Sequence, residues 1–302
     1  MPTGEDRFYD ILFEISNDIR HNILLLLHEN PERMTNISKQ LDLTSPEVSR
    51  HLSRLSEHKL IEKDSDNYYH VTKFGEYLLN QLFDLEFITK HRDYFVQHSA
   101  VKIPIKYQKR MSELANYKPE NNFLKFLDFI NEKIKQSEKH VNLYIDQFPV
   151  TCTESIKDSV KRGITYKIIH KTNITIEEYF EHKTMIPTIQ DHPQVEIKTI
   201  NREDAYIFIS DQGSAIAFPT INGFDYTGFI NHNPEDNQWI KDLFNHYWTP
   251  AEPSLLECTL CSTPIRGNPI IETINGSELV FDTMECVRTY KKLKQIYGAK
   301  FQ

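Results

Sequence analysis

The chain has 302 residues, a formal net charge of −8, 26% charged residues and 12% aromatic ones. That length exceeds what one core organises, so two or three domains are expected. The acidic balance excludes a histone-like coat of basic residues, and the longest apolar run, Ile23 to Leu27, is far too short to span a bilayer. The start is polar and acidic and carries no signal peptide, so a cytoplasmic protein is expected, whose four cysteines ligate metal or lie buried instead of pairing as disulfides.

Taken in chain order, Asn17 or Ser16 is placed to cap a helix with Ile19, Ile23, Leu24 and Leu27 inward. A short helix, Ile37 to Leu41, then ends at the turn Asp42-Leu43-Thr44. A second helix opens at Ser45 with Pro46 at its first position, where a missing N–H costs nothing. Val48, Leu52, Leu55 and Leu60 give it one buried face, and the opposite face carries Ser45, Glu47, Ser49, Arg50, Ser53 and Arg54. Two strands follow around Asp64-Ser65-Asp66-Asn67, flanked by Ile61 and by Tyr68, Tyr69 and Val71. Helix, turn, helix and wing together fit a major groove and brace on its phosphates. With only mild basicity on the helix, and Asp64 and Asp66 in the wing turn, non-specific phosphate affinity should be modest and a dimer is expected to read two half-sites.

Thr72 is placed to cap a helix from Lys73 to Lys90. Its apolar stripe (Phe74, Tyr77, Leu78, Leu82, Leu85 and Ile88, widened by Phe83 and Phe87) is expected to pair two copies. His98 to Lys118 reads as a connector, with Val101 to Pro104 extended and a helix from Lys106 to Ala115. Lys125 to Lys139 is an amphipathic helix with Phe126, Phe129, Ile130 and Ile134 inward. Strands are predicted at Val141–Ile145, Tyr166–Ile169, Val195–Ile200, Ala205–Ile209, Ser214–Phe218 and Asp225–Ile230, and helices at Ser155–Arg162 and Trp239–Tyr247. Alternating strands and helices indicate an α/β unit with a mixed sheet. Cys152 reads as a buried or loop thiol, and no histidine pair has hydrolase spacing, so no catalytic residues are assigned.

The first part resembles the winged helix-turn-helix of ArsR-type transcription regulators, in which the run Val48-Ser49-Arg50-His51-Leu52 sits on the recognition helix. The middle part resembles the effector domain of archaeal regulators of the methanogenesis-regulatory family and, more distantly, of TrmB-like regulators. The likeness is carried by His98 to Pro104, Lys161 to Thr165, Asp211 to Phe229 and Phe244 to Trp248. It implies a domain related in fold to phospholipase D. The H-x-K motif of that superfamily is nowhere in the chain, which points to a sensor or assembly platform and not to an enzyme.

Beyond Pro250 to Pro253 lie three of the four cysteines, in Cys258-Thr259-Leu260-Cys261 and at Cys286. Pro264 to Pro269 turns, and Ile270–Ile274 and Leu279–Phe281 form a hairpin around Asn275-Gly276. A helix then runs from Thr283 to about Tyr297 and stops at Gly298. Knuckle, hairpin and helix make a treble-clef arrangement. The module resembles metal-binding domains of the TRASH and YHS type, whose second half is F-C-x3-C, with Asp282 standing here for the first of those cysteines. The resemblance implies a site of Cys258, Cys261, Asp282 and Cys286. Three thiolates and a carboxylate suit Zn²⁺, whereas copper as Cu(I), or another soft metal, would use the thiolates alone. Asp282 with Glu285 three residues on is equally a helix capping box, which needs no metal.

The expected fold class is therefore α+β and multidomain. A winged helix-turn-helix DNA-binding domain occupies 1–72, dimerisation and linker helices 73–120, a phospholipase D-like α/β effector-type domain without a catalytic motif 121–250, and a cysteine-rich treble-clef zinc module 251–302. The expected function is a homodimeric, sequence-specific transcription regulator on double-stranded DNA, answering to a small-molecule or metal effector. DNA-contacting residues are Ser45, Glu47, Ser49, Arg50 and Arg54, with Arg54, Lys63 and Tyr68 or Tyr69 near phosphate. The alternative is an adaptor that docks proteins on the winged helix and treble clef.

Overall fold

The computed structural model describes residues 4–146, 150–171, 192–253, 258–261, 265, 269–274 and 277–298. It divides into two compact units, Met1–Lys90 and His91–Gln302.

In the first unit, α1 (Gly4–Ile15) precedes α2 (Asp18–Glu29), whose N-cap is Asn17, with its side chain accepting the Arg20 amide. A two-residue strand, β1 (Glu32–Arg33), leads into α3 (Met34–Gln40), which starts three residues earlier than its apolar pattern predicts. The turn after α3 holds Asp42 at φ 52, a conformation that Asp tolerates better than most residues. In α4 (Ser45–Glu57), Val48, Leu52 and Leu55 are buried, against Ile23, Leu24, Leu27 and Ile37 among others. The hairpin β2 (Ile61–Lys63) and β3 (Tyr68–Val71) joins β1 in the order β1-β3-β2, with Arg33 opposite Tyr68 and Lys63 opposite Tyr69. Asp64 Oδ1 accepts the amides of Asp66 and Tyr68, so this wing-tip carboxylate shapes the turn.

Thr72 caps α5 (Lys73–Lys90) through the Gly75 amide. A Cβ at Gly75 would sit 2.3 Å from the Leu60 carbonyl oxygen and 2.6 Å from Val71 Cγ1. The backbone oxygen cannot swing aside, so Gly75→Ala is expected to lower the stability of this unit by about 1–3 kcal/mol in denaturant unfolding. A neutral result would mean that α5 slides without cost. The predicted stripe on α5 divides: Leu78, Leu82 and Phe83 pack partly against the unit's core, while Phe74, Tyr77, Leu85 and Ile88 face solvent.

The second unit opens with α6 (Arg92–Gln97) and α7 (Ile105–Gln108), then a 3-10 turn at Met111–Leu114. The helix expected over Lys106 to Ala115 is thus broken in two around Arg110, whose side chain leaves to pair with Glu113 and Asp242. His98 is buried, bonded through Nδ1 to the Tyr94 carbonyl and through Nε2 to Asp225. The short strand β4 (Lys118–Glu120) follows, then α8 (Phe123–Gln136), β5 (His140–Ile145), α9 (Thr153–Lys161), β6 (Thr165–Lys171), β7 (Val195–Ile200), β8 (Tyr206–Ser210), β9 (Gly213–Ala217), β10 (Gly228–Asn231), α10 (Gln238–Trp248) and β11 (Glu252–Pro253).

These strands form one mixed sheet in the order β11-β7-β6-β5-β8-β9-β10-β4, parallel across β5, β6 and β7 and antiparallel elsewhere. Alternation along the strands divides the core. Leu143, Ile145, Tyr206 and Phe208 meet Phe126 and Ile130 of α8 and Ile156 of α9, whereas the Tyr144 ring packs against Tyr247 of α10. Cys152 is fully buried, and burial pushes its thiol up to about 11, so it is an inert core group. Among the described residues no helix is long and apolar enough to cross a membrane. The chain closes with the hairpin β12 (Ile270–Ile274) and β13 (Ser277–Phe281), where Ile274 faces Ser277, and with α11 (Met284–Tyr297). The predicted Asn275-Gly276 turn lies outside the described residues, as does most of the turn at 264–269.

Candidate nucleic-acid interface and metal centre

The α4 helix is built to show one face. Its N-terminus is closed by a capping box in which the Glu47 carboxylate accepts from the Thr44 amide at 3.0 Å and from the Thr44 hydroxyl at 2.7 Å. Glu47 is therefore committed to its own helix, and the Thr44 hydroxyl holds its carboxyl below the ordinary range. Ser45, Ser49, Arg50 and Ser53 are exposed. His51, in the middle of the quoted run, is buried, and burial, with Arg50 next, lowers its basicity, so it sits there as a neutral core imidazole.

Arg54 is held differently from what its position on the helix suggests. Its guanidinium grips Glu14 of α1 through Nε and Nη2, and Glu14 is 1% exposed. Arg20 reaches the same carboxylate at 2.9 Å and donates to the carbonyls of Glu14 and Phe13, each at 2.8 Å. The Phe13 ring takes both guanidiniums, at 5.5 and 5.6 Å. Burial alone would raise the Glu14 pKa, but Arg54 and Arg20 outweigh it and hold the carboxyl below its ordinary value.

Near the wing, the Lys63 ammonium lies 5.6 Å from the Tyr69 ring and the Arg33 guanidinium 4.6 Å from the Tyr68 ring. Both tyrosines are half-buried and offer their rings to these cations. Glu14 and Arg33 escaped the sequence reading. One lies 40 residues from its partner, and the other sits in a strand of two residues with no periodicity to read.

In the second unit, Cys258, Cys261, Asp282 and Cys286 converge, with one ligand atom from each lying within 4.8 Å of all the others. Cys286 Sγ is 3.7 Å from Cys261 Sγ, and Cys261 Sγ is 3.7 Å from Asp282 Oδ2. Four ligands at about 2.3 Å around a tetrahedral ion stand about 3.8 Å apart, so these two spacings match such a centre, and the whole set lies within about 1 Å of it. Thr259 fixes the knuckle: its amide and hydroxyl both donate to the Val280 carbonyl, at 2.8 and 2.7 Å, and its Oγ1 accepts the Val280 amide. Cys258 is buried, Cys261 exposed, and Asp282 and Cys286 intermediate, so the centre opens on one side.

The helix cap is a correction to the sequence expectation. The N-cap of α11 is Thr283, which accepts the Cys286 amide, and not Asp282. Asp282 is left to face the thiols, and the Cys286 thiol, then Cys258, holds its carboxyl down at about 2. For Cys286, the Thr283 hydroxyl favours the thiolate, but Asp282, desolvation and the other two thiols outweigh it and push the thiol up to about 12. That crowding of acidic groups is what a cation would relieve.

Residues 9–92 match the family described as the HVO_A0261 N-terminal domain. An uncharacterized HTH-type transcriptional regulator of Methanocaldococcus jannaschii is 31% identical over 75 residues, which cover 22% of this chain and 79% of that protein. The chain belongs to the HTH-type transcriptional regulators. Among solved structures, this regulator is similar to TrmBL2, an archaeal chromatin protein (TM-score 0.38, 15% identity, 78% of this chain and 92% of that one). It is also similar to NucT from Helicobacter pylori (TM-score 0.35, 14% identity, 45% and 99%) and to Nuc, a phospholipase D family member from Salmonella typhimurium (0.33, 11%, 42% and 89%).

Proposed function

We propose that this regulator binds double-stranded DNA as a homodimer through a winged helix-turn-helix, with α4 as the recognition helix. The observation that carries the proposal is the division of α4: Val48, Leu52 and Leu55 are buried while Ser45, Ser49 and Arg50 stand exposed, directly ahead of a β-hairpin. Membership among HTH-type regulators supports it. Arg50 is the base-reading residue, because it is the one guanidinium on the exposed face of α4 that no described carboxylate holds; Ser45 and Ser49 assist it. Glu47 acts as a cap. The solvent-facing Phe74, Tyr77, Leu85 and Ile88 of α5 support pairing of two copies.

We further propose that Cys258, Cys261, Asp282 and Cys286 hold one Zn²⁺ in a treble-clef module, and that the mixed sheet, on a phospholipase D-like plan, serves as an effector or assembly platform. Bound there, the metal supplies electrostatic cross-linking of knuckle to helix. The residues of the chain position the thiolates through Thr259 and Thr283.

Arg50→Ala is expected to weaken binding to a selected duplex by about fivefold to 150-fold for each half-site, from the roughly 1–3 kcal/mol that an Arg-to-base contact contributes. Fluorescence anisotropy on the selected and a scrambled duplex reads it. Equal loss on both sequences, or none on either, would remove Arg50 from base reading.

A further inference from the structure

Resting on the DNA-binding proposal, we infer that Arg33, on the short first strand, is a phosphate anchor of this unit, and that Arg54 is a strut of the fold instead of a contact. Electrostatic affinity for a duplex comes from cations whose charge is not already neutralised within the protein. Arg54 is spent: it grips the buried carboxylate of Glu14 with two of its nitrogens and lies on the Phe13 ring. Arg33 is the opposite case. It is exposed, makes no ion pair among the described residues, and its carboxylate neighbour Glu32 is occupied by Asn36 at 2.9 Å and Gln40 at 3.2 Å.

What fixes Arg33 is neutral. Its guanidinium lies 4.6 Å over the Tyr68 ring, its strand partner, so the side chain is ordered without losing charge. An ordered, uncompensated guanidinium is suited to a phosphate, since little conformational freedom is left to lose on contact. Lys63 sits over Tyr69, the next residue along β3. Successive strand residues point to opposite faces, so the three-stranded sheet carries one cation on each face, just behind the acidic tip of Asp64 and Asp66. Tyr69 packs partly against the unit's core, whereas Tyr68 does not, so Arg33 stands on the outer face of the sheet, the face open to a phosphate strand.

The test is the salt dependence of binding to a duplex by the full chain, for the wild type, Arg33→Ala, Arg33→Lys and Arg54→Ala. Each lost phosphate contact reduces the slope of log affinity against log salt by about 0.9, so a homodimer that loses the anchor from both copies loses about 1.8. Arg33→Ala is expected to show that loss equally on specific and scrambled duplexes, with its melting temperature unchanged, and Arg33→Lys to restore the slope. Arg54→Ala is expected to keep the wild-type slope and to melt earlier. An unchanged slope in Arg33→Ala, or a slope lost in Arg54→Ala, overturns the inference while the DNA-binding proposal stands. Absence of wild-type binding at low salt removes both.

Discussion

Replacing Glu14 by alanine lowers the stability of the N-terminal unit by about 3–5 kcal/mol, because two guanidiniums then share a site that has lost the buried carboxylate both of them bond. Arg20 is the more severe casualty. Its side chain is 6% exposed and cannot turn to water as Arg54 can, at 42%. The same cluster sets an acid limit. The folded Glu14 carboxyl titrates below its ordinary value near 4.5, so its contribution is complete above that value and is lost as pH falls through the lowered one. Hydrogen exchange followed on peptides of α1 and α4 should show faster exchange in Glu14→Ala near neutral pH, and in the wild type only under acid. Protection equal to wild type in the variant would mean that Arg54 and Arg20 are held by something other than this carboxylate.

Removing one thiolate from the cysteine centre has the second large effect. Cys258→Ala is expected to abolish stoichiometric metal binding, since Cys258 is the buried member and its loss leaves two thiols that are solvent-accessible. Binding should release protons and weaken on acidification, because the thiols must ionise to ligate. Substituting Co²⁺ gives a direct optical readout: thiolate charge-transfer bands with tetrahedral d–d transitions in the wild type, and neither in Cys258→Ala. Asp282→Ala is expected to keep the thiolate bands at lower affinity. Full retention of one metal per chain by Cys258→Ala contradicts the assigned centre. Unchanged affinity in Asp282→Ala reduces the set to three thiolates, the coordination that a soft ion prefers.

Much of this architecture could be read from periodicity. The buried face of α4 and the Trp239, Leu243, Phe244 and Tyr247 face of α10 follow the 3.6-residue repeat of long helices. The strands from β5 to β10 were legible within a few residues, since buried apolar runs bounded by turns are distinctive. The failures are also physical. β1 and β4, at two and three residues, are too short to carry a pattern and exist only because β3 and β10 lend them hydrogen bonds. The α11 cap was misplaced by one residue because Asp282 and Thr283 are both good N-caps, and only the geometry shows that Thr283 takes the amide. In the candidate interface, the exposed face of α4 was visible, but which of its charges are spent was not. Glu47 folds back on Thr44 within three residues, and Arg54 reaches across 40 to Glu14. The cysteine cluster was foreseeable because C-x2-C spacing forces two ligands to one side, while Thr259, its brace, has no sequence signature.

The most direct test of the central claim, that the Met1–Lys90 unit reads duplex DNA, is selection from a random duplex pool by the full chain, followed by footprinting of the winning sequence. The expected result is enrichment of a two-fold repeat with half-sites about 10 base pairs apart, each protected in the major groove, with binding that weakens steeply as salt rises. A pool that stays random through repeated rounds at low salt, with no protected bases, contradicts it and favours a protein-docking role for the same surface.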